Sequence, residues 1–455
     1  MLPTLIPQSS MLFHILFLVV VAAALLEKAP NAGPDGPVLT SNDLGLSFKA
    51  AFSSAITPFN VSVDEAFLNM TVLKASLTRF VDDTPGQPEF TDGPPKRVVQ
   101  NIASFWTSEY SWRRVETDMN SRFRQFTTVV SVPHTSFNDT PIPLHFVHHR
   151  SPRADAIPLL FLHGWPGSFL EVEPLIDSLT NPPNASLPAF HVVAPSLPGY
   201  GFSPSPLKAG MGAKVMGAAF DALMREKLGY HRYVIQGGDF GALIARVMAI
   251  AHPDGVAALH SYFWVMNPAQ ADLERYITGA ATAEERGFIE ANQRFDHALW
   301  PTFGTLSALR PRKLAAALAD SPVGLAVWIY DLLRPVTWGD ADRVWTPERV
   351  VTWAMMQWIP GVYATLALAE YFAQEGLLST AGFDVFPYVT QPVAISEFPL
   401  DIWYGLPLDW AQRRGNVQMR LVHDRGGHFP TLDAPDLVLA DLWAFLGSGS
   451  IRGLR

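Results

Sequence analysis

The 455-residue chain has no cysteine. Disulfides, thiolate nucleophiles and cysteine-ligated metal centres are therefore excluded, and a core of the size this length allows needs no disulfide to hold it. Charge is scarce. Asp, Glu, Lys and Arg make up 16% of the residues, against about 25% in an average soluble protein. Positive charge is the scarcer sign: 33 Lys and Arg against 42 Asp and Glu give a formal net charge of -9. A general nucleic-acid binder needs a basic footprint, so no nucleic-acid partner is expected. No internal repeat is evident. Gly199-Tyr200-Gly201 lacks the glycine spacing of a dinucleotide site, and the 13 histidines do not fall at metal-ligand spacing. No cofactor and no metal is therefore expected. What is abundant is apolar: 48% of the residues are hydrophobic and 12% aromatic. That composition excludes disorder over most of the chain.

One long apolar run is present, MLFHILFLVVVAAALL at residues 11–26, with His14 its only polar residue. It is shorter than the roughly 20 residues of a spanning helix. It matches the apolar region of a signal peptide, with Ala22, Ala23 and Ala24 as a small-residue cleavage site, although no Lys or Arg precedes it. Residues 1–30 are expected to be a signal peptide or a membrane anchor, with a buried helix as the remaining reading. Either of the first two directs the protein to the secretory pathway, secreted or anchored in the endoplasmic reticulum membrane. Four glycosylation sequons, at Asn60, Asn69, Asn138 and Asn184, fit that route.

Residues 27–43 are rich in Pro, Gly and Asp and read as a linker. Residues 63–80 place Phe67, Met70, Leu73 and Leu77 at helical spacing, and 97–123 are again helical. Residues 123–132 and 142–150 read as strands around a turn. From residue 156 strands and helices alternate. Strands at 156–164, from Ala189, from Tyr233 and at 257–265 are separated by helices at 169–180, 212–228 and after Gly237-Gly238-Asp239. This predicts a mostly parallel sheet with helices on both faces. The alternation breaks over 268–388, a helical stretch rich in Ala, Trp and Leu, and resumes at 391–399 and 417–429 before a last helix. The insertion reads as a cap over the carboxyl ends of the strands, where ligand sites belong. The expected units are an N-terminal domain at 42–150, a core at 151–267 and 389–447, and a cap at 268–388.

The chemistry centres on Gly237-Gly238-Asp239-Phe240-Gly241, between a strand and a helix. This is the context of a nucleophile elbow with Asp in the slot usually held by Ser. Asp401 follows a later strand, and His428 lies in Arg425-Gly426-Gly427-His428-Phe429 after the next. The order Asp239, Asp401, His428 is nucleophile, acid, base, the order found in α/β-hydrolases. His163-Gly164-Trp165-Pro166-Gly167-Ser168 supplies a second loop. Backbone N–H groups of Trp165 and Phe240 can form an oxyanion hole, and His163 is expected to brace the loop. A carboxylate nucleophile attacks an sp³ carbon, as in an epoxide or alkyl halide, and forms an ester that activated water then hydrolyses. A lipase or esterase would need Ser at 239.

Several segments together resemble the microsomal type of epoxide hydrolase, an α/β-hydrolase fold with its own N-terminal domain and an inserted helical cap. They are Ile56-Thr57-Pro58, Tyr110-Ser111-Trp112-Arg113 with Glu116 and Asn120, Gln125-Phe126-Thr127, the loop from His163 to Ser168, the segment from Asp320 to Leu325, and Gly426-Gly427-His428-Phe429. The resemblance implies Asp239 as nucleophile, Asp401 as acid and His428 as base, acting on a small apolar epoxide and water to give a vicinal diol. It also implies two cap tyrosines that donate to the epoxide oxygen. Here the sequence departs. The first tyrosine position falls on Phe303. The second falls at Glu370-Tyr371, with Tyr371 the expected donor. Phe303, Pro166 and Trp300 are expected to line the substrate pocket. A homodimer and membrane association through the N-terminal segment are both left open. So are an isomerase or cyclase acting on a biosynthetic epoxide, a haloalkane dehalogenase, and a catalytically silent binding fold.

Overall fold

The structure, a computed structural model, describes residues 38–378 and 386–448. Its centre is a nine-stranded sheet. The strands are β1 (Thr57–Phe59), β2 (Gln125–Val130), β3 (Ile142–His149), β4 (Ile157–Leu162), β5 (Phe190–Pro195), β6 (Tyr233–Gly237), β7 (Val256–Ser261), β8 (Val389–Glu397) and β9 (Gly415–Val422). They lie in the order β9-β8-β7-β6-β4-β5-β3-β2-β1. From β9 to β5 every neighbouring pair is parallel. Strands β3, β2 and β1 extend the sheet antiparallel beyond β5. The central strands are apolar without alternation. All five residues of β6 and all six of β7 are buried, as expected of parallel strands covered on both faces.

In the N-terminal region the helices are α1 (Glu65–Ser76), α2 (Lys96–Ser108) and α3 (Trp112–Arg122). The expected single helical stretch at 97–123 is two helices, because Ser111 caps a new start and its Oγ accepts from Arg114 N at 3.3 Å. The expected helix at 169–180 is a short 3₁₀ turn at Phe169–Val172 and a helix at Ile176–Thr180. Pro174 lies between them and cannot donate to a helical ladder. In the core, α4 (Ala213–Ala222) leads to β6, and α5 (Asp239–Ala251) follows it.

Between β7 and β8 the chain leaves the sheet, and the described residues there form seven helices of eight or more residues. They are α6 (Gln270–Ile277), α7 (Ala283–Arg294), α8 (Trp300–Leu309), α9 (Pro311–Leu318), α10 (Pro322–Leu333), α11 (Pro347–Trp358) and α12 (Val362–Gln374). Two of their starts were written locally. Ser321-Pro322 and Thr346-Pro347 each place a hydroxyl cap before a proline in the first turn. The fold is an α/β-hydrolase fold with an N-terminal extension and a helical cap inserted among the core strands. The N-terminal region packs against the cap: Trp358 Nε1 donates to Thr71 Oγ1 at 2.9 Å, and Ser47 Oγ donates to Ile359 O at 3.0 Å. A last helix, α13 (Pro435–Gly447), packs back on the core.

The expected apolar segment at 11–26 lies outside the described residues. Among the described residues no helix is long and apolar enough to cross a membrane. The expectations of a transmembrane protein and of anchoring in the endoplasmic reticulum membrane are corrected on that finding.

Candidate active site

Asp239 opens α5 directly after β6 and Gly238. Its φ of 47° puts a non-glycine residue in the left-handed region, a strained conformation of the kind stored at functional sites. The glycines around it are required by close approach. A Cβ at Gly238 would sit 1.8 Å from the Tyr262 ring, and one at Gly241 would sit 2.2 Å from the carbonyl oxygen of Leu162. The turn therefore raises the carboxylate above the carboxyl ends of β4 and β6.

The loop after β4 meets that carboxylate. Trp165 N donates to Asp239 Oδ1 at 2.8 Å. Phe240 is the second residue of α5, so its N–H has no intrahelical acceptor. His163 holds the loop from beneath, as expected. Its Nδ1 is 3.0 Å from Gly164 O, and its Nε2 accepts from Leu197 N at 3.1 Å. Burial pushes this imidazole down to about 4, so it stays neutral.

Asp401 follows β8 and His428 follows β9, the two strands on the far side of β7. His428 Nδ1 lies 2.9 Å from Asp401 Oδ1, and its Nε2 lies 3.6 Å from Asp239 Oδ2. Asp401 Oδ1 also accepts from Ile402 N at 2.7 Å, which fixes the carboxylate. His428 N donates to Val336 O at 2.9 Å, tying the loop to the cap. Burial alone would push His428 down, but the carboxylates of Asp401 and Asp239 outweigh it and raise the group to about 10. Burial raises Asp401, against the pull of His428. The two carboxyl groups therefore favour the protonated imidazole.

Above Asp239 and His428 lies a pocket walled by apolar side chains. Trp165, Pro166, Phe240, Trp300 and Phe303 line it, with Phe263, Phe295 and the leucines of α10. Among the described lining residues only Asp239 and His428 are ionisable. The Phe303 ring stacks on Trp165 at a centroid distance of 5.6 Å and an interplanar angle of 16°.

The structure does not bring Tyr371, the expected donor, to this pocket. Phe372, the next residue along α12, is buried with its ring 4.9 Å from that of Phe240. One residue of helix turns the side chain by about 100°, so Tyr371 faces elsewhere. It borders a separate open hollow with Ser205, Lys208, Arg312 and Tyr363. All 11 tyrosines lie within the described residues, and none lines the pocket. Tyr330 donates to Asp342 at 2.7 Å, and Tyr262 to Glu171 at 3.4 Å.

Sequence reasoning missed Glu171. It is buried beside the loop of Gly164 and Gly167, and its Oε1 has no hydrogen-bond partner among the described residues. Burial, helped by the charge of Asp239, raises it to about 8. The only signal was an acidic residue inside the apolar stretch Phe169-Leu170-Glu171-Val172.

Fold and site together define an α/β-hydrolase with a carboxylate at the elbow. Residues 56–172 match the family described as epoxide hydrolase N terminus, and residues 157–278 match the alpha/beta hydrolase fold. A Stigmatella aurantiaca (strain DW4/3-1) protein that carries the provisional name of epoxide hydrolase is 31% identical over 400 residues, covering 85% of this chain and 84% of its own. Juvenile hormone epoxide hydrolase 2 of Ctenocephalides felis is 27% identical over 436 residues, covering 90% of this chain and 89% of its own. Among solved structures, an enantioselective mutant of the Aspergillus niger epoxide hydrolase is 27% identical. It superposes with a TM-score of 0.72 over 88% of this chain and 98% of its own. The chain belongs to the epoxide hydrolase family of the α/β-hydrolase fold, with that family's N-terminal domain. Its relatives support enzymatic activity of this general type.

Proposed function

We propose that the chain hydrolyses an apolar epoxide to a vicinal diol through an ester on Asp239. The observation that carries this is the line Asp239–His428–Asp401, at 3.6 and 2.9 Å, beneath an apolar pocket. Asp239 attacks an epoxide carbon and the ring C–O bond breaks, leaving an alkoxide on the neighbouring carbon. Esterification removes one of the two charges that hold His428 protonated. The proton His428 then sheds balances the one the alkoxide takes up through solvent, and the neutral imidazole can serve as base. Water gives His428 a proton and adds to the ester carbonyl. The N–H groups of Trp165 and Phe240 receive the oxyanion, and collapse releases the diol as His428 returns the proton. Asp401 keeps the imidazole oriented throughout.

The residues divide, in this reading, into an N-terminal domain at 42–150, a core at 151–267 and 389–447, and a cap at 268–388. The N-terminal extension supports grouping the chain with the microsomal type by architecture alone. A second reading, an isomerase or cyclase on the same scaffold, draws support from the pocket without a phenol, where opening would need help from the substrate itself.

Single-turnover reaction with styrene oxide, followed by peptide mass spectrometry, tests the scheme. The wild-type adduct is expected on the peptide holding Asp239. Asp239→Asn is expected to reduce turnover to background, and His428→Ala to accumulate the adduct without releasing it. An adduct on another residue would refute the assignment. A product of unchanged mass in place of the diol would select the isomerase.

A further inference from the structure

We propose that the Asp239 site also hydrolyses primary alkyl halides, a dehalogenation that asks no proton of the cap. The proposal shares the nucleophile with epoxide opening but differs in what the leaving group requires. An epoxide oxygen departs as an alkoxide, a strong base that needs a proton or a strong hydrogen bond as it leaves. A halide is the conjugate base of a strong acid and departs unprotonated.

The pocket suits the second case. In a back-side displacement the leaving group moves away from the nucleophile, toward the cap wall of Trp300, Phe303 and the leucines of α10. His428 cannot serve it, because its Nε2 lies on the nucleophile's side, 3.6 Å from Asp239 Oδ2. None of the 11 tyrosines lines the pocket. The side-chain donors that do, apart from Asp239 and His428, are indoles, those of Trp165, Trp300 and Trp403. An indole N–H hydrogen-bonds an anion without releasing its proton. Trp165 is 9% exposed, and its Nε1 is buried with no hydrogen-bond partner in the structure.

The steps balance. An Asp239 oxygen bonds to the substrate carbon as the carbon–halogen bond breaks, and the halide leaves with the bonding pair. Esterification removes one of the two charges that favour the protonated imidazole, and His428 releases a proton to solvent. Water then loses a proton to the neutral imidazole and adds to the ester carbonyl. The acyl–oxygen bond breaks, the alcohol takes that proton from His428, and the remaining proton passes to His428 as Asp239 returns as a carboxylate. The net reaction turns an alkyl halide and water into an alcohol, a halide ion and a proton.

The test incubates the full chain with 1-bromobutane and, in parallel, with styrene oxide. Bromide is measured by ion chromatography and Asp239 adducts by peptide mass spectrometry. Many equivalents of bromide per enzyme are expected from wild type, none above blank from Asp239→Asn, and a single equivalent from His428→Ala. No bromide and no butyl adduct, from a preparation that forms the styrene oxide adduct, would overturn the inference and leave the epoxide reading standing. Bromide release without any epoxide adduct would support the inference and sink the epoxide reading.

Discussion

At the scale of single residues, the grouping of Asp239, Asp401 and His428 was legible because each sits at a strand end, with glycines marking the turns around Asp239 and His428. The placement of Tyr371 away from the pocket was not. Tyr371 and its neighbours on α12 differ only in helical phase, and a one-residue uncertainty moves a side chain by about 100°. Phe303 was legible, and the structure sets it on the pocket wall against Trp165. A phenol there would give the departing epoxide oxygen a hydrogen bond to developing negative charge, worth about 1.5–3 kcal/mol. Phe303→Tyr is therefore expected to speed adduct formation from styrene oxide by about 10- to 100-fold. Tyr371→Phe is expected to leave that rate where it is. Single-turnover kinetics on both variants decide it, and a slowed Tyr371→Phe would return the donor role to Tyr371.

At the scale of elements, the helices were the more legible part, since caps and prolines are local signals. The neighbours of the strands were not. Alternation says that residues 123–132 and 142–150 are extended, but nothing local says that they join the core sheet beside β5. Trp112, Glu116 and Asn120, noted only through the family resemblance, show why that addition is firm. Glu116 Oε1 accepts from Val63 N at 2.6 Å and from Trp112 Nε1 at 2.8 Å, and its other oxygen pairs with Arg113 at 2.6 Å. Asn120 both accepts from Val61 N, at 2.7 Å, and donates to Val61 O, at 3.0 Å. Helix α3 thereby fastens the segment between β1 and α1. Removing the Glu116 carboxylate leaves the buried N–H groups of Val63 and Trp112 without their acceptor, at about 1–3 kcal/mol each. Glu116→Ala is expected to lose stability of that order in urea titrations. Because α1 and α2 pack on cap helices α10 and α11, it is also expected to expose the cap linkers to limited proteolysis. A loss below about 1 kcal/mol, the range of an exposed pair, would mean that the network is solvated and the brace is not set by Glu116.

At the scale of the whole molecule, few charges are spent in the interior, and those that are there set how stability depends on pH. His145, His163 and His260 are buried and held neutral, pushed down by desolvation to about 3, 4 and 4. Below pH 6.5 the unfolded chain binds protons that these folded imidazoles refuse, so they cost stability as pH falls. Glu171 acts at the other end. The groups around it are Asp239, His428, Tyr262 and the backbone of Gly164, and burial among them lifts it from 4.5 to about 8. Between those values the folded chain keeps a proton that the unfolded chain has lost. Stability contributed by this group is therefore complete below about 4.5 and is lost as pH rises through that window, at up to about 1.4 kcal/mol per unit. Glu171→Gln keeps a neutral side chain of the same shape and removes that titration. Relative to wild type it is expected to be more stable at pH 8 than at pH 5, with the gap opening steadily between them. Urea titrations of both proteins at pH 5, 6.5 and 8 measure it. A gap that stays constant with pH would mean that Glu171 is already ionised in the folded chain, a third carboxylate beside Asp239 and Asp401 around the charge of His428.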